Sequence, residues 1–234
     1  DLPLCNKLSD SGLTIDLNHN SLYSTALNTS IEVNFNRGDL QHRLQYGGGK
    51  NQLIAKAVGL NKKSDLHILD ATAGLGRDAL VLAHLGAQVT MIERNPILAA
   101  LLQRALMQAE LEACKRMQVI CADAQTCLRI LHSKIPEIKS SMPCLTTPEL
   151  QAFDLALRAP HLCETKNTYN ATPDVITLDP MFPERKKSAL VKKDMRILKE
   201  LVGDDDNGDG LLEAAIQCNV KRVVVKRPSL APAL

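Results

Sequence analysis

Leu69-Asp70-Ala71-Thr72-Ala73-Gly74-Leu75-Gly76-Arg77-Asp78 is the stretch that decides the fold. The apolar run Leu66-His67-Ile68-Leu69 enters it and stops at an acid. Small residues and two glycines follow, and a helical pattern begins at Arg77. Strand, tight glycine turn and helix form the first unit of a nucleotide-binding α/β sheet. The glycines let the backbone turn sharply and lie against a ligand that a Cβ would obstruct.

Downstream the alternation of strands and helices is regular. The pattern predicts a helix over about 76–85 ended by Gly86, then a strand over 88–92 leading to Glu93. Asn95 caps the next helix with Pro96 at its first position, and Ile97, Leu98, Leu101, Leu102, Ala105 and Leu106 form its core-facing stripe. A strand over 117–121 precedes Asp123, which caps a helix running to Leu131. A strand over 174–178 leads into Asp179-Pro180-Met181-Phe182-Pro183, followed by a basic helical stretch over 188–202, a helix over 210–218 and a strand over 222–226. Five strands alternating with helices predict an α/β fold with a mostly parallel sheet covered on both faces. Ligands of such sheets sit at the carboxyl ends of the strands, where Asp70, Glu93, Asp123 and Asp179 fall.

Residues 1–48 lack helical periodicity. Their alternating runs, 13–17 and 31–35, predict a small β-rich extension ahead of a Rossmann-like domain over 49–234. Gly47-Gly48-Gly49 reads as a linker or an anion-contacting turn, and Asn51–Gly59 as a helix with Leu53, Ile54, Ala57 and Val58 on its apolar side. Residues 133–173, punctuated by prolines, are too long for an ordinary connection and read as a surface insertion with a short helix near 148–158. Of the 234 residues 45% are apolar and 23% charged, with a net charge of +2. No apolar stretch is long enough to cross a bilayer. Seven cysteines include no C-x-x-C pair, which favours neither a zinc ribbon nor a disulfide framework. A reduced, cytoplasmic protein without a metal is expected.

Gly74-x-Gly76-x-x-Ala79 also satisfies the dinucleotide fingerprint, with Glu93 spaced for a ribose hydroxyl. Electrostatics discriminates. A pyrophosphate beside Asp70 and Asp78 would be poorly placed, whereas S-adenosylmethionine has no phosphate and carries a sulfonium and an ammonium. Asp123 lies where an adenine edge would fall. The Asp179–Pro183 loop adds an acceptor chemistry: a carboxylate and the Pro180 carbonyl accept the two N–H bonds of an exocyclic nucleobase amine, and Phe182 stacks on the extruded base. The plainer reading is a turn that ends a strand, with Phe182 packed inside.

At this point the residues resemble a known family. Tyr46-Gly-Gly-Gly-Lys50, Ala55-Lys-Ala-Val-Gly59, Asp70-Ala-Thr-Ala-Gly-Leu-Gly-Arg-Asp78, Glu93-Arg-Asn-Pro96, Leu178-Asp-Pro-Met-Phe-Pro183, Lys187-Ser-Ala-Leu-Val-Lys-Lys193 and Lys221-Arg-Val-Val-Val-Lys-Arg-Pro228 are similar to motifs of the RsmJ family. These are bacterial methyltransferases that modify a guanine N2 of 16S ribosomal RNA. The resemblance implies a class I methyltransferase fold, S-adenosylmethionine as cofactor, and cofactor contacts at Arg77, Asp78, Glu93, Arg94, Asp123, Ala124 and Asp179, beside Asp70, Gly74 and Gly76 of the turn. It also implies that further sheet strands follow Leu234 in relatives, and that the 133–173 insertion is longer than theirs.

Basic residues cluster on both sides of the acceptor loop. Lys186, Lys187, Lys192, Lys193 and Arg196 lie after it, and Lys226 and Arg227 follow the last strand. Flanking a base pocket, they read as a phosphate-binding rim for RNA or the small ribosomal subunit; the alternative is a solvated helix face. The sequence reading therefore carries three functions. They are guanine-N2 methyltransferase, NAD(P)-dependent oxidoreductase on the same turn, and a non-catalytic RNA-binding protein.

Overall fold

The computed structural model describes residues 7–8, 12–16, 18–133, 172–180, 193–202 and 208–227. Its centre is a five-stranded parallel sheet of β5 (His67–Asp70), β6 (Gln88–Glu93), β7 (Met117–Cys121), β8 (Val175–Leu178) and β9 (Arg222–Val225), in spatial order β7-β6-β5-β8-β9. The expected α/β class and parallel sheet are therefore observed. Helices α3 (Arg77–His84), α4 (Pro96–Gln108) and α5 (Ala124–Ser133) link the early strands, and α6 (Lys193–Val202) and α7 (Gly208–Gln217) lie between β8 and β9 in the chain. Asn95 accepts the N–H groups of Ile97 and Leu98 with Pro96 at the first helical position, the predicted cap of α4.

The sheet is buried on both faces, as parallel sheets are. Ile68, Val89, Met91 and Val175 point into one core with α3 and α4. Leu69, Ile92, Ile120, Ile176 and Leu178 point into the other, against Cys127, Leu128 and Leu131 of α5 and Leu211, Ala214 and Ala215 of α7. Burial pushes the thiols of Cys114 and Cys218 up to about 11 and that of Cys127 to about 12, so these cysteines serve as packing atoms. Among the described residues no helix is long and apolar enough to cross a membrane.

Upstream, β1 (Lys7–Leu8), β2 (Leu13–Asp16), β3 (Ser21–Ser24) and β4 (Thr29–Glu32) form an antiparallel sheet in that order. The segment does contain a helix, α1 (Gly38–Tyr46), contrary to the expectation of none before residue 48. Only Leu40 and Leu44 of α1 are buried, an i, i+4 pair too sparse to register as a period. In helix α2 (Leu53–Val58) Val58 is buried and Ile54 packs against the core as expected, but Ala55 is buried where Ala57 was expected and Leu53 is 87% exposed. The expected helix near 148–158 lies outside the described residues, as does all of the proposed insertion between 134 and 171.

The small sheet shares the larger core. Leu13, Leu22, Ile31, Val33 and Phe35 belong to the same buried cluster as Leu98, Leu101 and Leu102 of α4 and Ile197 and Leu198 of α6. Asn20 Nδ2 donates to the Val33 carbonyl at 2.6 Å and to the Leu101 carbonyl at 2.9 Å, tying the β2–β3 turn to α4. Ser24 Oγ donates to Glu200 Oε2 at 2.8 Å, tying β3 to α6. Phe35, 1% exposed, reaches beneath the glycine turn. Phe35→Ala should therefore destabilise the protein by about 3–5 kcal/mol in a urea titration, with fluorescence and far-ultraviolet dichroism reporting one coincident transition. A wild-type midpoint, or separate transitions, would show that the small sheet does not support the larger unit.

Candidate functional site

The chain runs outward from β5 to β6 and β7, then crosses back to place β8 on the other side of β5. The crevice beyond the carboxyl ends of β5 and β8 is thus the topological switch point, the usual ligand position in open α/β sheets. Register pairs Asp70 with Thr177, so Asp179 emerges two residues beyond the partner of Asp70. Two hydrogen bonds join the segments above the sheet. The Ala71 N–H donates to the Thr177 carbonyl at 3.0 Å, and the Asp179 N–H donates to Thr72 Oγ1 at 2.6 Å.

The two glycines of the turn have different jobs. Gly76 has φ +68°, and a Cβ there would meet Leu102 Cδ2 and Phe35 Cζ, each at 3.0 Å, so packing as well as backbone conformation demands glycine. Gly74 has φ +54° but faces open space; its nearest neighbour would be the Thr72 carbonyl oxygen at 4.0 Å. Glu93, 7% exposed, braces the turn from below: Oε2 accepts the Gly74 N–H at 3.2 Å and Oε1 accepts the Asn95 N–H at 2.8 Å. Burial raises the Glu93 carboxyl, against the lowering effect of those N–H groups. A turn whose N–H already points at a carboxylate is a poor phosphate cradle, which counts against a dinucleotide.

Carboxylates crowd the crevice. Asp70 is 7% exposed, and burial pushes its carboxyl up to about 7, opposed by the Thr72 N–H and reinforced by the charges of Asp78 and Asp179. Asp78, in the first turn of α3, accepts from Arg43 Nη2 at 2.6 Å and from Lys226 Nζ at 2.8 Å. Burial works to raise Asp78, but these two cations outweigh it and hold its carboxyl below the ordinary range. Lys226 Nζ also donates to Asp179 Oδ2 at 2.8 Å. Asp70, Asp78 and Asp179 are thus brought together, and the Gly74 side of the turn opens beside them.

The other expected residues are placed as follows. Arg77 donates to Asp194 Oδ2 at 2.6 Å, fastening α3 to α6. Arg94 is exposed and Pro180 buried. Asp123 accepts the Thr126 N–H at 2.7 Å, a helix cap as well as a strand-end acid, and Ala124 opens α5. Arg196 and Arg227 are exposed. Lys193 opens α6, whereas Phe182, Lys186, Lys187 and Lys192 lie outside the described residues. Lys226, expected on an RNA rim, is half-exposed and has its ammonium between two site carboxylates. Thr72 and Arg43 had no expected role; a hydroxyl inside the glycine turn was the only sequence signal for the first, and none marked the second.

Asp70 makes stability depend on pH. Its folded pKa, about 7, lies above the unfolded value of 3.8. Between those values the unfolded chain has released a proton that the folded chain retains, so stability is fully present below about pH 4 and is lost as pH rises to about 7. Asp70→Asn stays neutral and escapes this loss. Its stability relative to wild type should rise by about 2–4 kcal/mol between pH 4 and pH 7.5, measured by urea unfolding. A difference that does not vary with pH would contradict the buried, proton-retaining carboxyl.

Comparison with known proteins agrees with this geometry. A family model described as "Putative SAM-dependent methyltransferase" matches residues 4–139 and 146–234. Ribosomal RNA small subunit methyltransferase J of Colwellia psychrerythraea is 43% identical over 205 residues, covering 88% of this chain and 63% of that protein. The protein of the same name from Aeromonas salmonicida is 46% identical over 202 residues, covering 86% of this chain and 68% of that protein. The chain spans about two thirds of the length of these relatives. A crystal structure of a SAM-dependent methyltransferase from Neisseria gonorrhoeae superposes with a TM-score of 0.56 at 30% identity, covering 92% of this chain and 70% of that one. With its motifs, its sheet order and these matches in agreement, the chain belongs to the SAM-dependent methyltransferase family that includes ribosomal RNA small subunit methyltransferase J.

Proposed function

We propose that this chain carries the donor site and acceptor loop of an S-adenosylmethionine-dependent methyltransferase acting on the N2 amine of a guanine in 16S ribosomal RNA. The observation that carries the reading is the convergence of Asp70, Asp78 and Asp179 at the switch point, with Asp179 pinned to the glycine turn through Thr72. Three acids beside a turn already braced by a carboxylate favour a cationic, phosphate-free ligand.

The residues fit that donor. Gly74 leaves open space on its side of the turn; Asp70 would take the ammonium, Glu93 the ribose hydroxyls, and Asp123 and Ala124 the adenine. Arg77 and Arg94 frame the same end of the sheet, Arg77 through its tie to Asp194. When bound, the donor supplies a methyl group already activated on a sulfonium. The work left to the chain is positioning. A nucleobase amine is a weak nucleophile because its lone pair is delocalised into the ring. Asp179 and the Pro180 carbonyl accept its two N–H bonds and turn the lone pair toward the methyl group, and the Asp179 carboxylate would take the proton that the nitrogen sheds. Phe182 stacks on the base, a role resting on the sequence. Arg196 and Arg227, with Lys186, Lys187, Lys192 and Lys193, form the RNA rim.

Two measurements test this reading. Calorimetric titration should give saturable binding of S-adenosylmethionine and none of NAD(P)H; the reverse would favour an oxidoreductase. Asp179→Ala should lower methyl transfer to small-subunit RNA by at least about 100-fold while the unfolding midpoint stays near wild type. Near-wild-type turnover in that variant would remove Asp179 from the chemistry.

A further inference from the structure

We propose that Lys226 is a positioning residue for methyl transfer, its ammonium bridging donor-side Asp78 and acceptor-side Asp179 so that the Asp179 carboxylate is held at the angle that receives the acceptor amine. This rests on the function proposed above. Lys226 is the first residue beyond β9, and its own N–H donates to the Leu178 carbonyl at 2.8 Å. Its side chain therefore starts from the strand end next to Asp179. The ammonium then lies 2.8 Å from Asp78 Oδ2 and 2.8 Å from Asp179 Oδ2. Asp78 itself sits in the first turn of α3, directly after the glycine turn, and is clamped from its other oxygen by Arg43.

The bridge supplies what the backbone does not. Thr72 fixes the Asp179 N–H but leaves the carboxylate free to rotate, and half of that side chain is exposed. Engaging Oδ2 fixes the rotation and leaves Oδ1 to accept an amine N–H. A lysine suits the place because a point charge with three donors serves two carboxylates from different elements and keeps one N–H in hand, which a planar guanidinium fork does less readily. The same cation offsets repulsion among three neighbouring acids. Burial works to lower the Lys226 ammonium, and its hydrogen bonds to Asp179 and Asp78 outweigh that and raise it. The competing role is a phosphate contact on the RNA rim.

The test compares wild type with Lys226→Met and Lys226→Arg. A positioning role predicts that Lys226→Met lowers kcat about 10- to 100-fold with KM for small-subunit RNA within twofold, and that Lys226→Arg recovers part of the loss. The slope of log affinity against log salt for RNA binding stays unchanged. A raised KM at constant kcat, with a slope shallower by about one, would make Lys226 a phosphate contact and overturn the proposal. An activity-free measurement guards against misfolded variants. Acetylation of Lys226 in the ligand-free protein, followed by mass spectrometry, should be faster in Asp179→Asn than in wild type; equal rates would overturn the bridge. Faster labelling of Asp179→Asn, together with a wild-type protein that binds the donor but transfers no methyl group, would retain the bridge and reject the proposed function.

Discussion

The pairing of β5 with β8 is the constraint on which the rest of the site depends. It brings two strand-end acids to the switch point of the sheet, Asp70 paired with Thr177 and Asp179 two residues further on. The order β7-β6-β5-β8-β9 reverses direction once, between β7 and β8, and that reversal opens the crevice into which both acids project. Like charges at that spacing repel, and the protein resolves the conflict in two ways. Asp70 is buried and its carboxyl raised to about 7, whereas Asp78 and Asp179 receive Lys226 from the next strand and Asp78 also receives Arg43 from α1. A site in which one acid waits near neutrality and two are held by cations is suited to a positively charged ligand that replaces repulsion with attraction.

The remaining architecture keeps this crevice in shape. Glu93 holds the glycine turn from below, and Phe35 and Leu102 fill the space that a side chain at Gly76 would claim. Through Phe35 and Asn20 the antiparallel sheet becomes part of the support for the turn. Arg77 and Asp194 connect α3 with α6. The glycine turn with α3 is thus linked to the segments after β8 at Thr72–Asp179, at Asp78–Lys226–Asp179 and at Arg77–Asp194. Rigid coupling of this kind is what a reaction limited by orientation requires.

Much of the fold was legible because parallel strands write strong signals. Each of the five carries a short apolar run, and Asn95-Pro96 announces its helix through chemistry that the backbone then uses. The weaker signals failed for physical reasons. Helix α1 buries only two leucines, and in α2 the exposed Leu53 misled because hydrophobicity alone does not say which side faces a core. In the site, the acids were readable from their positions at strand ends. Their partners were not: Arg43 lies 35 residues from Asp78, and Lys226 lies 47 from Asp179, separations set only by the sheet order. Lys226 accordingly read as one more basic residue in a charged cluster, while the structure sets the ammonium of its half-exposed side chain against two site carboxylates.

The central claim is tested most directly by incubating the protein with radiolabelled S-adenosylmethionine and small ribosomal subunits that lack guanine-N2 methylation, then identifying the labelled nucleoside by mass spectrometry. The account predicts label in the 16S RNA, recovered as N2-methylguanosine. Label on another nucleobase, or no transfer by a protein that binds the donor, would contradict it.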